Sequence, residues 1–220
     1  MQSFAVILPA AGSATRFGSN KLLARLNGVP VIDHVFGAFL NRDDVAAMVV
    51  ATSMEFAYIG ERPFTICPGG SCRAESVLNA LRHVSDDVEW VAIHDAARPL
   101  VSQDLIDRTL AAAVAHGAAA PALPVSLTIK QAKAPLPAKI DRTIPRGDLF
   151  AMQTPQIMRR ADLLAAYEKC PMPLDQITDD VQLLELIGKE VWLVPGDDRN
   201  LKITTPLDLK IAELLMRGDA

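Results

Sequence analysis

The chain has 220 residues, 50% of them apolar and 22% charged, with a formal net charge of −4 at pH 7. Its length suits one large domain or two small ones with a real core. The mild acidity argues against a general nucleic-acid binder, which carries a basic excess. The cysteines Cys67, Cys72 and Cys170 lack metal-like spacing. They read as reduced thiols of a cytoplasmic protein rather than a disulfide framework or a structural zinc site.

In chain order, Phe4–Leu8 is a continuous apolar run ending at Pro9, which suits a central parallel strand. It is short and has no basic flank, so it is not read as a signal peptide. No run reaches transmembrane length, so no membrane partner is expected. Pro30–Leu40 has helical spacing, with Ile32, Val35, Phe36 and Phe39 on one side. Val45–Thr52 and Phe64–Cys67 read as strands, Arg73–Val84 as a helix, and Val88–His94 as a fourth strand. Ser102 is a candidate N-cap for a helix over Gln103–His116, with Gly117 as its stop. Ala119–Val125 could be a fifth strand.

Ser126–Asp148 breaks the rhythm with prolines and cations, as a flexible loop or an extended arm. Helices at Arg159–Glu168 and Asp179–Ile187, a strand at Val191–Val194 and a helix at Pro206–Met216 resume it. The alternation predicts a doubly wound, mostly parallel α/β sheet. We read one domain over residues 1–220 with an excursion at about 126–148.

Four turns could carry chemistry. Pro9–Lys21 follows the first strand, where ligands of open α/β sheets sit. Its small residues Ala10, Ala11 and Gly12 let backbone N–H groups approach an anion, and Arg16 and Lys21 can bond phosphate oxygens. It matches neither a P-loop nor a dinucleotide fingerprint, and alone it reads equally as a small turn with two solvated cations. Gly69–Val77, again between strand and helix, offers glycine backbone for a base or ribose and the Ser76 hydroxyl, and alone reads as an ordinary strand-to-helix turn. His94–Pro99 puts Asp95 at a strand's carboxyl end, placed for Mg2+ or for pairing with Arg98. Lys202 lies between apolar residues and calls for an anion or a surface edge. Thr128, Lys130, Arg142 and Arg146 in the excursion suit a solvated face or an acceptor phosphate, as do Thr154–Gln156 and Thr178–Asp180 later in the chain.

In this order and spacing, P-A-A-G-x-x-x-R, G-G-x-x-R-x-x-S-V, H-D-A-A-R-P, T-P-Q, I-T-D-D and N-L-K-I-T resemble the 2-C-methyl-D-erythritol 4-phosphate cytidylyltransferase (IspD) family over essentially the whole chain. The resemblance implies a Rossmann-like nucleotidyltransferase fold. It also implies Mg2+-dependent CMP transfer from CTP to methylerythritol 4-phosphate and a homodimer formed through the arm.

Carried over by position, Arg16, Lys21 and Lys202 would be catalytic. Pro9–Gly12, Gly70, Ser71, Ser76, Asp95 and Ala96 would bind nucleotide. Asp95, Arg98, Thr128, Arg146, Thr154 and Thr178 would serve the acceptor, Arg146 and Thr178 across the dimer, and Asp95 would approach the metal. Two departures stand out. Ser71 replaces a frequent Asp, and Arg199 displaces the acidic residue before Asn200, which puts an inherited ion pair with Arg146 in doubt. The alternatives are a cytidylyltransferase for another polyol phosphate such as ribitol 5-phosphate, or a non-catalytic nucleotide-binding protein.

Overall fold

The computed structural model describes residues 2–11, 17, 20–53 and 63–218. Gly12 and Arg16 lie outside the described residues. Strand β1 (Phe4–Pro9) accounts for the sheet's double cover. Phe4, Val6 and Leu8 enter one apolar cluster, and Ala5 and Ile7 enter another. Alternation inside a wholly apolar run is what a central strand buried on both faces requires.

β1 lies between β4 (Val45–Ala51) and β6 (Trp90–Ile93), parallel to both. β5 (Thr65–Cys67) continues the sheet parallel to β4. On the other side, β11 (Gln156–Arg159) runs antiparallel to β6. β11 and β10 (Phe150–Met152) both pair antiparallel with β7 (Ala118–Pro124), whereas β12 (Trp192–Pro195) pairs with it parallel. The sheet is thus mostly parallel, as expected, with β10 and β11 reversed.

Helices α1 (Val31–Leu40), α3 (Gln103–His116) and α6 (Pro206–Arg217) contribute buried residues to the first cluster. Helices α2 (Arg73–Leu81), α4 (Arg160–Glu168) and α5 (Asp180–Leu186) contribute to the second. Each set therefore covers one face of the sheet, and the doubly wound expectation holds. The helix ends follow local chemistry. Ser102 Oγ accepts from Leu105 N at the start of α3, and Gly117 ends that helix at φ 97°. Thr205 and Asp208 form a capping box at the start of α6, with Pro206 in the first turn.

Two features depart from the sequence reading. β10 and β11 stand where no strand is expected, each being only three or four residues long. β6 and β7 both need an edge partner, and buried Gln156, Ile157 and Met158 fill the gap. A short hairpin, β2 (Arg25–Leu26) with β3 (Val29–Pro30), also precedes α1. The segment at about 126–148 contains an exposed antiparallel hairpin, β8 (Ile129–Ala132) with β9 (Ile140–Ile144). Among the described residues, no helix is long and apolar enough to cross a membrane.

Candidate active site

The turns after β1, β5 and β6 meet at the carboxyl ends of the parallel strands, where such sheets bind ligands. They enclose a cleft of about 420 Å³. Pro9, Ala10 and Ala11 line one wall, Gly70, Ser71 and Ser76 another, and Asp95 and Ala96 the floor. Lys21 and Lys202 reach in from opposite ends of the chain. These ten expected residues converge from four separate segments.

Gly69 is set by contact with the turn after β1, and Gly70 by contact within its own turn. A Cβ on Gly69 would fall 2.1 Å from the Ala11 Cβ, and one on Gly70 would fall 2.9 Å from the backbone carbon of Glu75. Only hydrogen side chains let the two walls approach this closely. Ser76 Oγ accepts from Gly70 N at 2.9 Å and donates to the Cys72 carbonyl at 2.9 Å. It is thus a brace for the Gly70 turn. Ser71 donates through both N and Oγ to Glu75 Oε2, at 2.6 and 2.5 Å, and these bonds hold the Glu75 carboxyl below its ordinary range. The Ser71 hydroxyl is therefore spent within its own turn.

Asp95 is the hub, only 7% exposed. Lys202 Nζ lies 2.9 Å from its Oδ2, Arg98 Nε 3.4 Å from Oδ2, and Arg73 Nε 3.3 Å from Oδ1. Burial pushes the Asp95 carboxyl up, but Arg73, Lys202 and Arg98 together outweigh it and hold the group far below the usual range. Arg73 also reaches Asp180, Nη2 to Oδ2 at 2.7 Å. Asp180 is fully buried, and burial drives its carboxyl above the usual range against the pull of Arg73. Arg98 ties the turn to the C-terminal segment, donating to the Asn200 carbonyl at 2.7 Å. Asn200 in turn donates to the Thr154 carbonyl at 2.8 Å.

A second cleft of about 270 Å³ opens beside the first and shares Arg73, Asp95 and Lys202 with it. Arg98, Thr154 and Thr178 line it, together with Gln153 and Gln156. Thr178 thus belongs to its own chain's cleft, and no partner is needed to put it there. Thr128 and Arg146 are exposed and lie outside both clefts, and the Arg146 guanidinium donates to the Ser126 carbonyl. Arg199 donates to the Leu215 carbonyl at 2.8 Å, so it faces α6 rather than Arg146.

The sequence assigns no role to Arg73, and Asp180 enters it only within the Thr178–Asp180 group. They form an ion pair across 107 residues of chain, which spacing cannot reveal. His94 was likewise quoted without a role.

The family model for 2-C-methyl-D-erythritol 4-phosphate cytidylyltransferase matches residues 4–218. The enzyme so named from Bacillus thuringiensis is 38% identical over 96% of each chain. The crystal structure from Thermus thermophilus superposes with a TM-score of 0.82 at 33% identity, covering 98% of this chain and 99% of that one. The one from Francisella tularensis reaches 0.85 at 30% identity, covering 96% and 98%. With a cleft lined from four segments, a carboxylate gathering three cations, and a match spanning nearly the whole length, this chain belongs to the 2-C-methyl-D-erythritol 4-phosphate cytidylyltransferase family.

Proposed function

We propose that the chain transfers CMP from CTP to 2-C-methyl-D-erythritol 4-phosphate and releases pyrophosphate. The observation that carries this reading is the cluster of Lys202, Arg73 and Arg98 around Asp95, where two clefts meet, with Lys21 across the first. Two polyanions must be brought together, and this junction is the cationic place to do it.

An oxygen of the acceptor phosphate attacks the α-phosphorus of CTP. The new P–O bond forms as the bond to the β-phosphate bridging oxygen breaks, and the electron pair leaves with pyrophosphate. The acceptor phosphate is already anionic at neutral pH, so no general base is required. Catalysis is positioning plus stabilisation of charge at the α-phosphorus and on the leaving group. Lys21 and Lys202 hold the triphosphate, a role the family resemblance extends to Arg16, and backbone at Pro9–Ala11 and Gly70 lies against the nucleoside. Asp95, Arg98 and Thr178 organise the acceptor side.

Magnesium enters with the nucleotide. Both Asp95 oxygens already contact cations, and no group of three or more His, Cys, Asp or Glu residues stands ready for a metal among the described residues. A further dication fits poorly against such a carboxylate. Bound with the nucleotide, it would offset phosphate charge at the junction that Lys21 and Lys202 line. In this reading Asp95 balances the cations and is not a direct metal ligand.

The whole chain acts as one cytoplasmic nucleotidyltransferase domain. Its exposed hairpin pairs with a second copy and brings Thr128 and Arg146 to the partner's acceptor cleft. Light scattering on the full chain, against a variant with the hairpin tip shortened, tests that arrangement. Pyrophosphate release with CTP and the other nucleoside triphosphates, each with methylerythritol 4-phosphate and with ribitol 5-phosphate, tests the reaction. Release with ribitol 5-phosphate alone would move the assignment to another polyol phosphate, and CTP binding without release would make the chain a nucleotide-binding protein.

A further inference from the structure

Thr154 has one hydroxyl proton to give and two lone pairs to offer. Its Oγ1 lies 3.0 Å from Asp95 N and 3.1 Å from His94 Nδ1. A backbone N–H only donates, so the hydroxyl accepts from Asp95. On the far side of the ring, His94 Nε2 lies 3.1 Å from the Arg98 carbonyl oxygen. A carbonyl only accepts, so Nε2 carries the ring hydrogen. The ring is fully buried, and no hydrogen bond joins it to a carboxylate among the described residues. Desolvation therefore keeps it neutral, against the pull of the Arg98 carbonyl and the Asp95 carboxylate, with the Arg98 and Lys202 cations acting in the same sense as burial. Nδ1 is then an acceptor, and the Thr154 hydroxyl is its donor. Every hydrogen in the chain of contacts has one direction.

We propose that His94 and Thr154 are positioning residues. Their relay runs from Asp95 N–H to the Thr154 hydroxyl to His94 Nδ1, with His94 Nε2–H anchored on the Arg98 carbonyl. It fixes the backbone at Asp95 and so aims the carboxylate at Lys202. The proposal rests on the reading of Asp95 as the hub of the site.

The relay closes on itself. Arg98, whose carbonyl receives His94, sends its guanidinium back to Asp95 Oδ2 and to the Asn200 carbonyl. Asn200 returns a bond to the Thr154 carbonyl. Thr154 lines the second cleft, yet its proton is turned away from that cleft toward His94. It therefore acts on the acceptor through Asp95 rather than as a donor to the acceptor's phosphate.

Nitrogen-15 NMR of the histidines in the full chain reads the relay directly. The expected result at neutral pH is a His94 ring protonated at Nε2 and bare at Nδ1. A ring protonated at Nδ1, or at both nitrogens, overturns the proposal. Thr154→Val keeps the shape and removes both bonds, whereas Thr154→Ser keeps the hydroxyl. Val lowers kcat by about tenfold or more while KM for CTP stays within about threefold, the scale of a lost buried hydrogen bond, and Ser restores most of the loss. Full turnover in the Val variant, or a Ser variant as impaired as Val, overturns it. The two readings fail separately. An Asp95→Asn variant with unchanged turnover overturns the hub on which the relay's purpose depends, while the ring's protonation pattern tests the relay alone.

Discussion

Replacing Arg73 by methionine isolates the buried end of the charge cluster. Arg73 stands 2.7 Å from Asp180 and 3.3 Å from Asp95. At an effective dielectric of about 20, the shorter contact has a gross attraction of about 6 kcal/mol, part of which desolvation cancels. Methionine fills similar space without charge and leaves fully buried Asp180 alone. Removing one partner of a buried pair costs about 3–5 kcal/mol, and the 27% exposure of the Arg73 side chain points to the lower end.

The pH dependence has a definite sign. Burial already raises the Asp180 carboxyl, with Arg73 opposing. Without Arg73 it rises further, so the folded variant holds a proton that the unfolded chain releases. The loss is then absent below the ordinary carboxylate pKa of about 4 and grows as pH rises through the folded value. Urea unfolding followed by far-UV circular dichroism should show a deficit of about 3 kcal/mol at pH 8 that shrinks toward pH 5. A deficit below about 1 kcal/mol, or one that does not change with pH, would refute the reasoning.

Lys21→Ala and Lys202→Ala should fold normally, since Lys202 is 41% exposed and such pairs contribute about 0–1 kcal/mol. Each should lower turnover by about 10²–10³ in a pyrophosphate-release assay, and near-normal turnover in both would sink the mechanism. Gly69→Ala forces the β1 and β5 turns apart, given a 2.1 Å approach to the Ala11 Cβ. Calorimetry should show CTP binding weakened by about tenfold or more at little cost in kcat at saturation, and unchanged affinity would argue against the two turns as one nucleotide wall. Asp95→Asn removes one negative charge beside the cleft, so pyrophosphate should inhibit about tenfold more strongly while turnover falls. Weaker inhibition would show that Asp95 does not balance the cations that hold phosphate.

The sequence made the alternating architecture legible because periodicity is local. The run Phe4–Leu8, the N-cap Ser102 and the stop Gly117 each announce themselves within a few residues. The cleft-lining turns were legible for the same reason, since Ala10, Gly70 and Asp95 each follow a strand. What stayed hidden depends on distant segments. β11 is a strand because β6 and β7 need a common partner, and nothing within Gln156–Arg159 states that. Arg73 pairs with Asp180 across 107 residues of chain, which no local pattern reveals. Nothing in the spacing shows that the Ser71 hydroxyl is committed to Glu75.

The cations around Asp95 are not equivalent, and their anchoring assigns them different work. Arg98 donates to the Asn200 and Met152 carbonyls besides Asp95, and it is 9% exposed, so moving it would dismantle the turn. Arg73 is fastened to buried Asp180. Lys202 contacts Asp95 at 2.9 Å, and its side chain is 41% exposed on a flexible stem. Of the three, it is the one that can exchange Asp95 for a phosphate at small cost. The two arginines then keep Asp95 balanced, and the carboxylate is not left unpaired as Lys202 moves. Asp95 thus acts as a holding partner. It keeps a mobile cation aimed at the junction of two clefts before any phosphate arrives, which is the preorganisation that charge stabilisation requires.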